Sequence, residues 1–187
     1  MNADYIIPVA PFLDVVFYIT DTFWSNRGGT PHRGLDIDPS GQTNYPLYSM
    51  LDGKVIAVGN TSSAGNYIII KDTTDPMGTA TRYLHMKEMS FLRVGDIVRK
   101  FDLVGYEGTT GQSTGIHLHL EMKYLYNSEN WVASNVEADY INPASWLGVP
   151  NQKGISMYCD GSPQPITIKK KSRYPFVLYA RELRGEE

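Results

Sequence analysis

A strict alternation of apolar and polar residues from Ile116 to Met122 constrains this chain more than any other feature. A period of two is the pattern of a strand with one buried face. The apolar side chains then point into a core, while His117, His119 and Glu121 lie side by side on the other face. Because neutral imidazole is the commonest metal ligand, such a strand suits a metal ion. A solvated strand face that happens to carry two histidines is the alternative, and this segment alone leaves both open.

The remaining histidines lie in comparable segments, which favours the metal interpretation. The chain has four histidines, and His32 begins a second alternating segment in which Asp36 and Asp38 share its face. Gly34 disfavours a helix there, so this segment is predicted to be a strand or an extended loop. His85 lies in a short segment rich in strand-forming residues. Alone, each of these residues has a structural or surface explanation, but the presence of all four histidines in such segments is hard to attribute to chance.

The rest of the chain predicts a mainly β fold. Its 187 residues suit a single domain with a substantial core. Abundant glycine, proline and tyrosine indicate many turns and strands, and several short strands are predicted between residues 47 and 106. We therefore expect an antiparallel β-sheet core, with the metal site in a groove between loops, and few short helices. One helix is predicted to begin at Pro143, after an Asn142 cap, and to end at Gly148.

Charge and cysteine content exclude several classes of function. The net charge of -3 gives no reason to expect nucleic acid or an anionic membrane surface as a partner. A single cysteine, Cys159, excludes an internal disulfide framework and a cysteine-rich zinc site. The first residues lack the features of a signal peptide, and no apolar run approaches the roughly 20 residues needed for membrane insertion. Export by another route or excision from a longer protein is expected, and the oligomeric state is not indicated.

Three separated motifs together resemble those of the lysostaphin/LytM-type zinc endopeptidases, which cut peptidoglycan cross-bridges. They follow the family's order and are His32-x-x-x-Asp36, Tyr83-Leu84-His85 and Gly111-x-Ser113-Thr114-Gly115-x-His117-x-His119-x-Glu121. The resemblance covers residues 19–124. We expect a peptidase domain over residues 1–147 and an extension or linker of unknown role over residues 148–187, lying apart from the sheet.

The resemblance also implies a role for each site residue. It assigns His32, Asp36 and His119 as the ligands of one Zn²⁺ per chain. His85 and His117 then lie near the metal as general acid/base and transition-state stabilisers. Three further side chains lie in or beside these motifs. Tyr83 is a candidate for orienting a catalytic histidine or supporting the oxyanion, with core packing as the alternative; Glu121 is expected to support a ligand rather than bind metal, and Asp38 matches no metal position.

The expected function is zinc-dependent hydrolysis of peptide bonds in peptidoglycan stem peptides or cross-bridges. The protein would then act at the bacterial cell wall, either as part of a surface protein or as a phage endolysin or virion-associated hydrolase. A non-catalytic relative that binds wall or a partner protein is the main alternative. A cupin-like metal site built on His117 and His119 is a further one, but it leaves His32, Asp36 and His85 unexplained.

Overall fold

The computed structural model describes residues 16–38 and 45–158, and these residues form a mainly antiparallel β structure. The expected fold class is confirmed. The strands are β1 (Val16–Asp21), β2 (Asn26–Arg27), β3 (Thr30–Pro31), β4 (Leu35–Asp38), β5 (Pro46–Tyr48), β6 (Gly53–Thr61), β7 (Gly65–Lys71), β8 (Thr79–Met86), β9 (Ile97–Val98), β10 (Leu103–Tyr106), β11 (Leu118–Tyr124) and β12 (Ser156–Tyr158). A 3₁₀ turn spans Glu137–Asp139, and the helix α1 spans Pro143–Leu147.

One eight-stranded sheet, in the order β12-β1-β4-β11-β8-β7-β6-β9, organises the molecule. Strands β10 and β5 form one small separate sheet, and β2 and β3 form another. In β11, the alternation read from the sequence buries Leu118, Leu120 and Met122 completely. They pack in one core with residues of the neighbouring strands, among them Leu35 and Ile37 of β4. The hydrophobic effect of this burial fixes which face of β11 carries the polar residues.

The predicted helix forms at its predicted bounds. The Asn142 side chain accepts a hydrogen bond from the Ala144 N–H, at 2.9 Å, and Pro143 is the first helical residue. Gly148 ends the helix with a φ of 68°, a left-handed conformation that glycine adopts without strain. Among the described residues, no helix has the length and apolar character needed to cross a membrane.

The chain after Gly148 departs from expectation, because part of it belongs to the main sheet. Strand β12 pairs with β1 in antiparallel register, and Ile155 O accepts a hydrogen bond from Ile19 N at 3.0 Å. So short an edge strand is held by backbone hydrogen bonds, which leave no side-chain pattern in the sequence. A domain boundary at residue 147 stays a prediction. Residues 1–15, 39–44 and 159–187, which include Cys159, lie outside the described part of the chain.

Candidate metal centre and active site

Two neighbouring strands bring the predicted metal ligands together. In the antiparallel pairing of β4 and β11, His119 lies opposite Asp36, and His32 lies just before β4. His32 Nε2 is 3.0 Å from Asp36 Oδ1 and 2.8 Å from His119 Nδ1. His119 Nδ1 is also 2.8 Å from Asp36 Oδ1. Two ring nitrogens and one carboxylate oxygen, contributed from residues far apart in sequence, therefore face a common point.

The chemistry of these three atoms fits a zinc ion. All three residues are buried, with at most 6% of their surface exposed, so the ligand atoms are already removed from bulk water. Zinc takes nitrogen and oxygen ligands in a tetrahedral arrangement, in which ligand atoms lie about 3.3 Å apart. The distances of 2.8–3.0 Å between the three atoms are close to that separation. Among the described residues, this is the group of histidine and acidic side chains whose ligand atoms converge in this way.

Further hydrogen bonds orient both histidines of this group. His32 Nδ1 lies 2.7 Å from Thr22 O, and only an N–H can donate to a carbonyl, so Nε2 carries the free lone pair. His119 Nε2 lies 3.5 Å from Glu121 Oε1, which leaves Nδ1 free to face the other ligands. Glu121 is itself held by Arg82, whose Nη1 is 3.1 Å from Oε2. This is the supporting position expected for Glu121, and such contacts fix the tautomer of a metal-binding histidine.

The acidic and histidine side chains of this group stabilise one another's charged forms, which shifts the pKa values of Asp36, His119 and Glu121. Burial alone would raise the pKa of Asp36, but hydrogen bonds with His119 and His32 hold it well below its usual range. Burial alone would lower the pKa of His119, but its contacts with Asp36 and Glu121 raise it to about 9. Contacts with His119 and Arg82 outweigh burial and lower the pKa of Glu121 to about 2. A metal ion bound through His119 would therefore have to displace a proton, and its binding would depend on pH.

Gly34 allows the two ligand strands to approach one another. A Cβ atom at this position would lie 2.5 Å from Leu120 O and 2.7 Å from His119 Nε2. Both distances are far inside van der Waals contact, and the backbone carbonyl of β11 cannot move aside. A glycine between His32 and Asp36 is thus a steric requirement of the site, in addition to disfavouring a helix.

His85 and His117 lie beside the ligand group, and neither Nε2 atom makes a hydrogen bond to a residue that the structure describes. His117 Nδ1 is 2.9 Å from Gly115 O, and its Nε2 is 3.5 Å from Asp36 Oδ1. His85 Nδ1 is 2.8 Å from Thr110 O. The ring centroids of His85 and His117 are 5.2 Å apart. Since both Nδ1 atoms donate to backbone carbonyls, both Nε2 atoms are available as proton acceptors.

His85 reaches the site through a local departure from strand geometry. Its φ of 57° lies in the left-handed region, which a non-glycine residue enters only at a cost. If side chains alternated strictly along β8, His85 would lie on the core side with Tyr83, which pairs with Leu120. The left-handed conformation of His85 breaks this alternation. Burial lowers the pKa of His85 to about 4, against the opposing effect of its hydrogen bond with Thr110. The imidazole is therefore neutral near neutral pH.

Tyr83 is completely buried in the core. Its hydroxyl accepts a hydrogen bond from Met50 N at 2.9 Å and donates one to Tyr48 O at 3.1 Å. Burial raises the pKa of this hydroxyl. Both hydrogen-bonding directions of the hydroxyl are used by the backbone of residues 48–50, an environment that favours the packing alternative for Tyr83.

The structure adds residues around the site that the motifs did not indicate. Arg27 bonds to Asp36, and Thr22 to His32. Asp38, which shares the face of His32 in the sequence, is half-buried, and burial raises its pKa against the opposing effect of the nearby His117. Glu107, just before the Gly108 backbone that bridges to His117, is completely buried. Thr22, Arg27 and Glu107 lie at no characteristic spacing from a histidine, so sequence patterns alone carry no signal for them.

Comparison with known proteins identifies the family. The sequence profile of Peptidase family M23 matches residues 30–136, more than half of the chain. The chain belongs to peptidase family M23. This confirms the resemblance to lysostaphin-type enzymes, and the four histidines and Asp36, on which that resemblance rests, all lie within the matched range.

The peptidoglycan DD-endopeptidase ShyB of Vibrio cholerae serotype O1 is one curated relative of this M23 chain. The two are 39% identical over 93 residues, which are 49% of this chain and 20% of ShyB. A zinc-containing peptidase from Vibrio cholerae aligns in structure with a TM-score of 0.51 and 30% identity, covering 66% of this chain and 35% of the other. The catalytic domain of lysostaphin from Staphylococcus simulans has the same fold, with a TM-score of 0.54 and 23% identity over 71% of this chain and 91% of that domain. The chain spans about a fifth to a third of the length of the first curated relatives it matches.

Proposed function

We propose that this M23 chain is a zinc-dependent endopeptidase that hydrolyses peptide bonds of bacterial peptidoglycan, in stem peptides or cross-bridges. The observation that carries the proposal is the pair of histidines, His85 and His117, with free Nε2 atoms beside the buried group of His32, Asp36 and His119. The names of the relatives support the substrate class, because ShyB is a peptidoglycan DD-endopeptidase. A binding module would need none of these free nitrogens.

In this proposal His32, Asp36 and His119 hold the zinc ion through Nε2, Oδ1 and Nδ1. A zinc ion held there acts as a Lewis acid and makes hydroxide available near neutral pH. The protein's own contribution begins with burial, since a site from which bulk water is largely excluded strengthens every electrostatic interaction within it. Thr22 and Glu121 keep the two histidine ligands in the tautomers that binding requires.

His85 and His117 move the protons of the reaction. A neutral Nε2 can accept a proton as the attacking oxygen forms its bond to the peptide carbonyl, and the resulting imidazolium can donate that proton to the leaving amine. A protonated Nε2 also stabilises the negative charge that develops on the carbonyl oxygen. The low pKa of His85 keeps it in the accepting form at neutral pH, and the Thr110 carbonyl holds its ring in place.

The setting follows from the substrate. We infer that the protein acts at the bacterial cell wall. A role as a phage endolysin or virion-associated hydrolase is one form of this proposal, and a role within a longer bacterial surface protein is the other. The same hydrolysis of peptidoglycan peptides is proposed in both cases, which differ only in how the protein reaches the wall.

The test is a digest of purified peptidoglycan by the zinc-loaded protein, analysed by mass spectrometry of the released peptides. Walls cross-linked through diamino acids and walls cross-linked through glycine are compared, since the bond that is cut defines the substrate. We expect cleavage of one wall type, loss of cleavage with a chelator and recovery with zinc. His85→Ala should retain zinc and lose about 10²–10⁴-fold in rate, the usual contribution of general acid–base catalysis. A folded, zinc-loaded wild-type protein that cuts neither wall type would contradict the proposal and favour a binding module.

A further inference from the structure

Arg27 reaches from the protein surface to the buried carboxylate of Asp36. It lies at the end of β2, and 47% of its side chain is exposed, against 5% for Asp36. Its Nη2 is 2.5 Å from Asp36 Oδ2. The same guanidinium contacts Asp21 Oδ2 through Nε, at 2.7 Å, and through Nη2, at 2.6 Å. One arginine therefore joins a partly buried carboxylate, that of Asp21, to a carboxylate of the metal centre.

The two oxygens of Asp36 have different partners. Oδ1 faces His32 and His119, whereas Oδ2 is bonded to Arg27. An aspartate carboxylate can rotate about its terminal bond, and each rotation exchanges the oxygen presented to a metal ion. Because the planar guanidinium is fixed on Asp21 as well, it can hold Oδ2 in place and so keep Oδ1 on the side of the histidines.

Asp21 also supports the ligand group along a second route. Its Oδ1 accepts hydrogen bonds from Thr22 N, at 2.9 Å, and from Ser25 Oγ, at 3.0 Å. The carbonyl of Thr22 in turn accepts the hydrogen bond from His32 Nδ1. Asp21 is thus linked to Asp36 through Arg27 and to His32 through Thr22.

We propose that Arg27 is a positioning residue of the metal centre, which fixes the rotation of the Asp36 carboxylate and is itself anchored by Asp21. This inference rests on the ligand assignment made under the proposed function. Arg27 does not touch the bound metal or the substrate in this role. It acts only through Asp36.

An electrostatic role and a positioning role of Arg27 predict opposite changes in zinc affinity when the arginine is removed. A guanidinium cation close to a zinc ion repels it, so a purely electrostatic role would make zinc binding tighter when Arg27 is removed. Asp21 offsets most of that repulsion, because it makes a two-contact ion pair with the same guanidinium. Positioning should then dominate, and loss of Arg27 should make zinc binding weaker.

The test measures the zinc dissociation constant of the full chain by competition with a chromophoric chelator. Arg27→Gln is expected to weaken zinc binding by about 10–100-fold, the usual effect of removing a group that orients a metal ligand. Arg27→Lys should recover part of this loss, since it keeps the charge and one donor but not the fork. Arg33→Gln is the matched control: Arg33 is next to His32, but its guanidinium bonds to Asn135 at 2.8 Å and to no ligand. It should bind zinc as wild type does, and the apo-protein melting temperature of Arg27→Gln should equal that of wild type.

Three results would overturn the inference, and they are distinguishable. Arg27→Gln that binds zinc as tightly as wild type, or more tightly, contradicts the positioning role alone. A wild-type protein that binds no zinc contradicts the ligand assignment of the proposed function and this inference with it. If Arg27→Gln does not fold, Arg27→Lys decides the matter, because it keeps the charge but not the two-donor geometry of the guanidinium: zinc binding weaker than that of wild type supports the role, and unchanged binding contradicts it.

Discussion

At the scale of single residues, Glu107 is a carboxyl group whose ionisation is opposed by burial. It has no exposed surface, and its Oε2 has no hydrogen-bond partner among the described residues. Burial raises its pKa from 4.5 to about 8, an effect that the nearby Asp38 reinforces and the hydrogen bond from Tyr45 N opposes. The folded chain therefore keeps a proton that the unfolded chain releases between these two pH values. Because the folded state binds more protons there, stability falls as pH rises.

We expect Glu107→Gln to remove most of this pH dependence, because an amide cannot ionise. The melting temperature of wild type should fall relative to that of Glu107→Gln as pH rises from about 5 to about 8. Glu129→Gln is the control, since Glu129 is an exposed carboxylate paired with Lys54. Its melting curve should keep the wild-type dependence on pH. Parallel curves for wild type and Glu107→Gln would show that Glu107 is not protonated in the folded protein.

Gly34 gives a second prediction, which concerns sterics rather than charge. In Gly34→Ala the added methyl group would overlap the carbonyl of Leu120 and the ring of His119. His119 must then rotate away from Asp36, and zinc binding should weaken by about 10-fold or more. Gly115→Ala, where no atom lies within 4 Å of the added carbon, should leave the zinc dissociation constant unchanged. Equal affinities for the two variants would contradict the close packing of β4 on β11.

Sequence patterns indicated a metal site because histidine is rare in this chain and each one lies in a regular segment, whereas the division into ligands and catalytic histidines came from the family resemblance and stays a prediction. They could not predict the contacts of Arg27 or Glu107, because these depend on the path of loops with no repeating pattern. They also gave no sign that His85 adopts a left-handed backbone conformation. That conformation is imposed by the surrounding structure rather than by any preference of the residue.

At the scale of elements, α1 shows how far local signals determine structure. The helix is only Pro143–Leu147, too short to be stable alone. Its buried Ala144 and Leu147 belong to the main core, while its ends follow from the cap at Asn142 and from Gly148.

Edge strand β12 is the opposite case. It has no distinctive side-chain pattern, and it forms because β1 offers an unpaired edge.

We predict that Asn142→Ala lowers the free energy of unfolding by about 1 kcal/mol, the typical cost of losing a helix N-cap. The loss follows from the missing hydrogen bond to Ala144 N. Chemical denaturation of wild type and the variant measures it directly. Ser145→Ala, on the exposed side of the same helix, should change stability by much less. If the two variants are equally stable, the Asn142 side chain does not cap the helix in solution.

At the scale of the whole molecule, the site depends on the order of strands in the sheet. Residues 32–36 and His119 are far apart in the chain, and they meet because β4 and β11 are neighbours. Hydrophobic alternation predicts that each strand exists and which face is buried, but it does not determine which strands pair. The strand order is therefore not available from pattern alone, and here the family resemblance supplied the expectation of a common site.

His117 and His119 lie two residues apart in the sequence, and we propose that His119 binds zinc whereas His117 is catalytic. This assignment is tested most directly by the zinc content of His117→Ala and His119→Ala, purified in parallel with wild type and freed of loosely bound metal. We predict one zinc per chain in wild type and in His117→Ala, and little or none in His119→Ala, with all three proteins folded. Loss of zinc from His117→Ala, with zinc retained in His119→Ala, would contradict the assignment of ligand and catalytic roles.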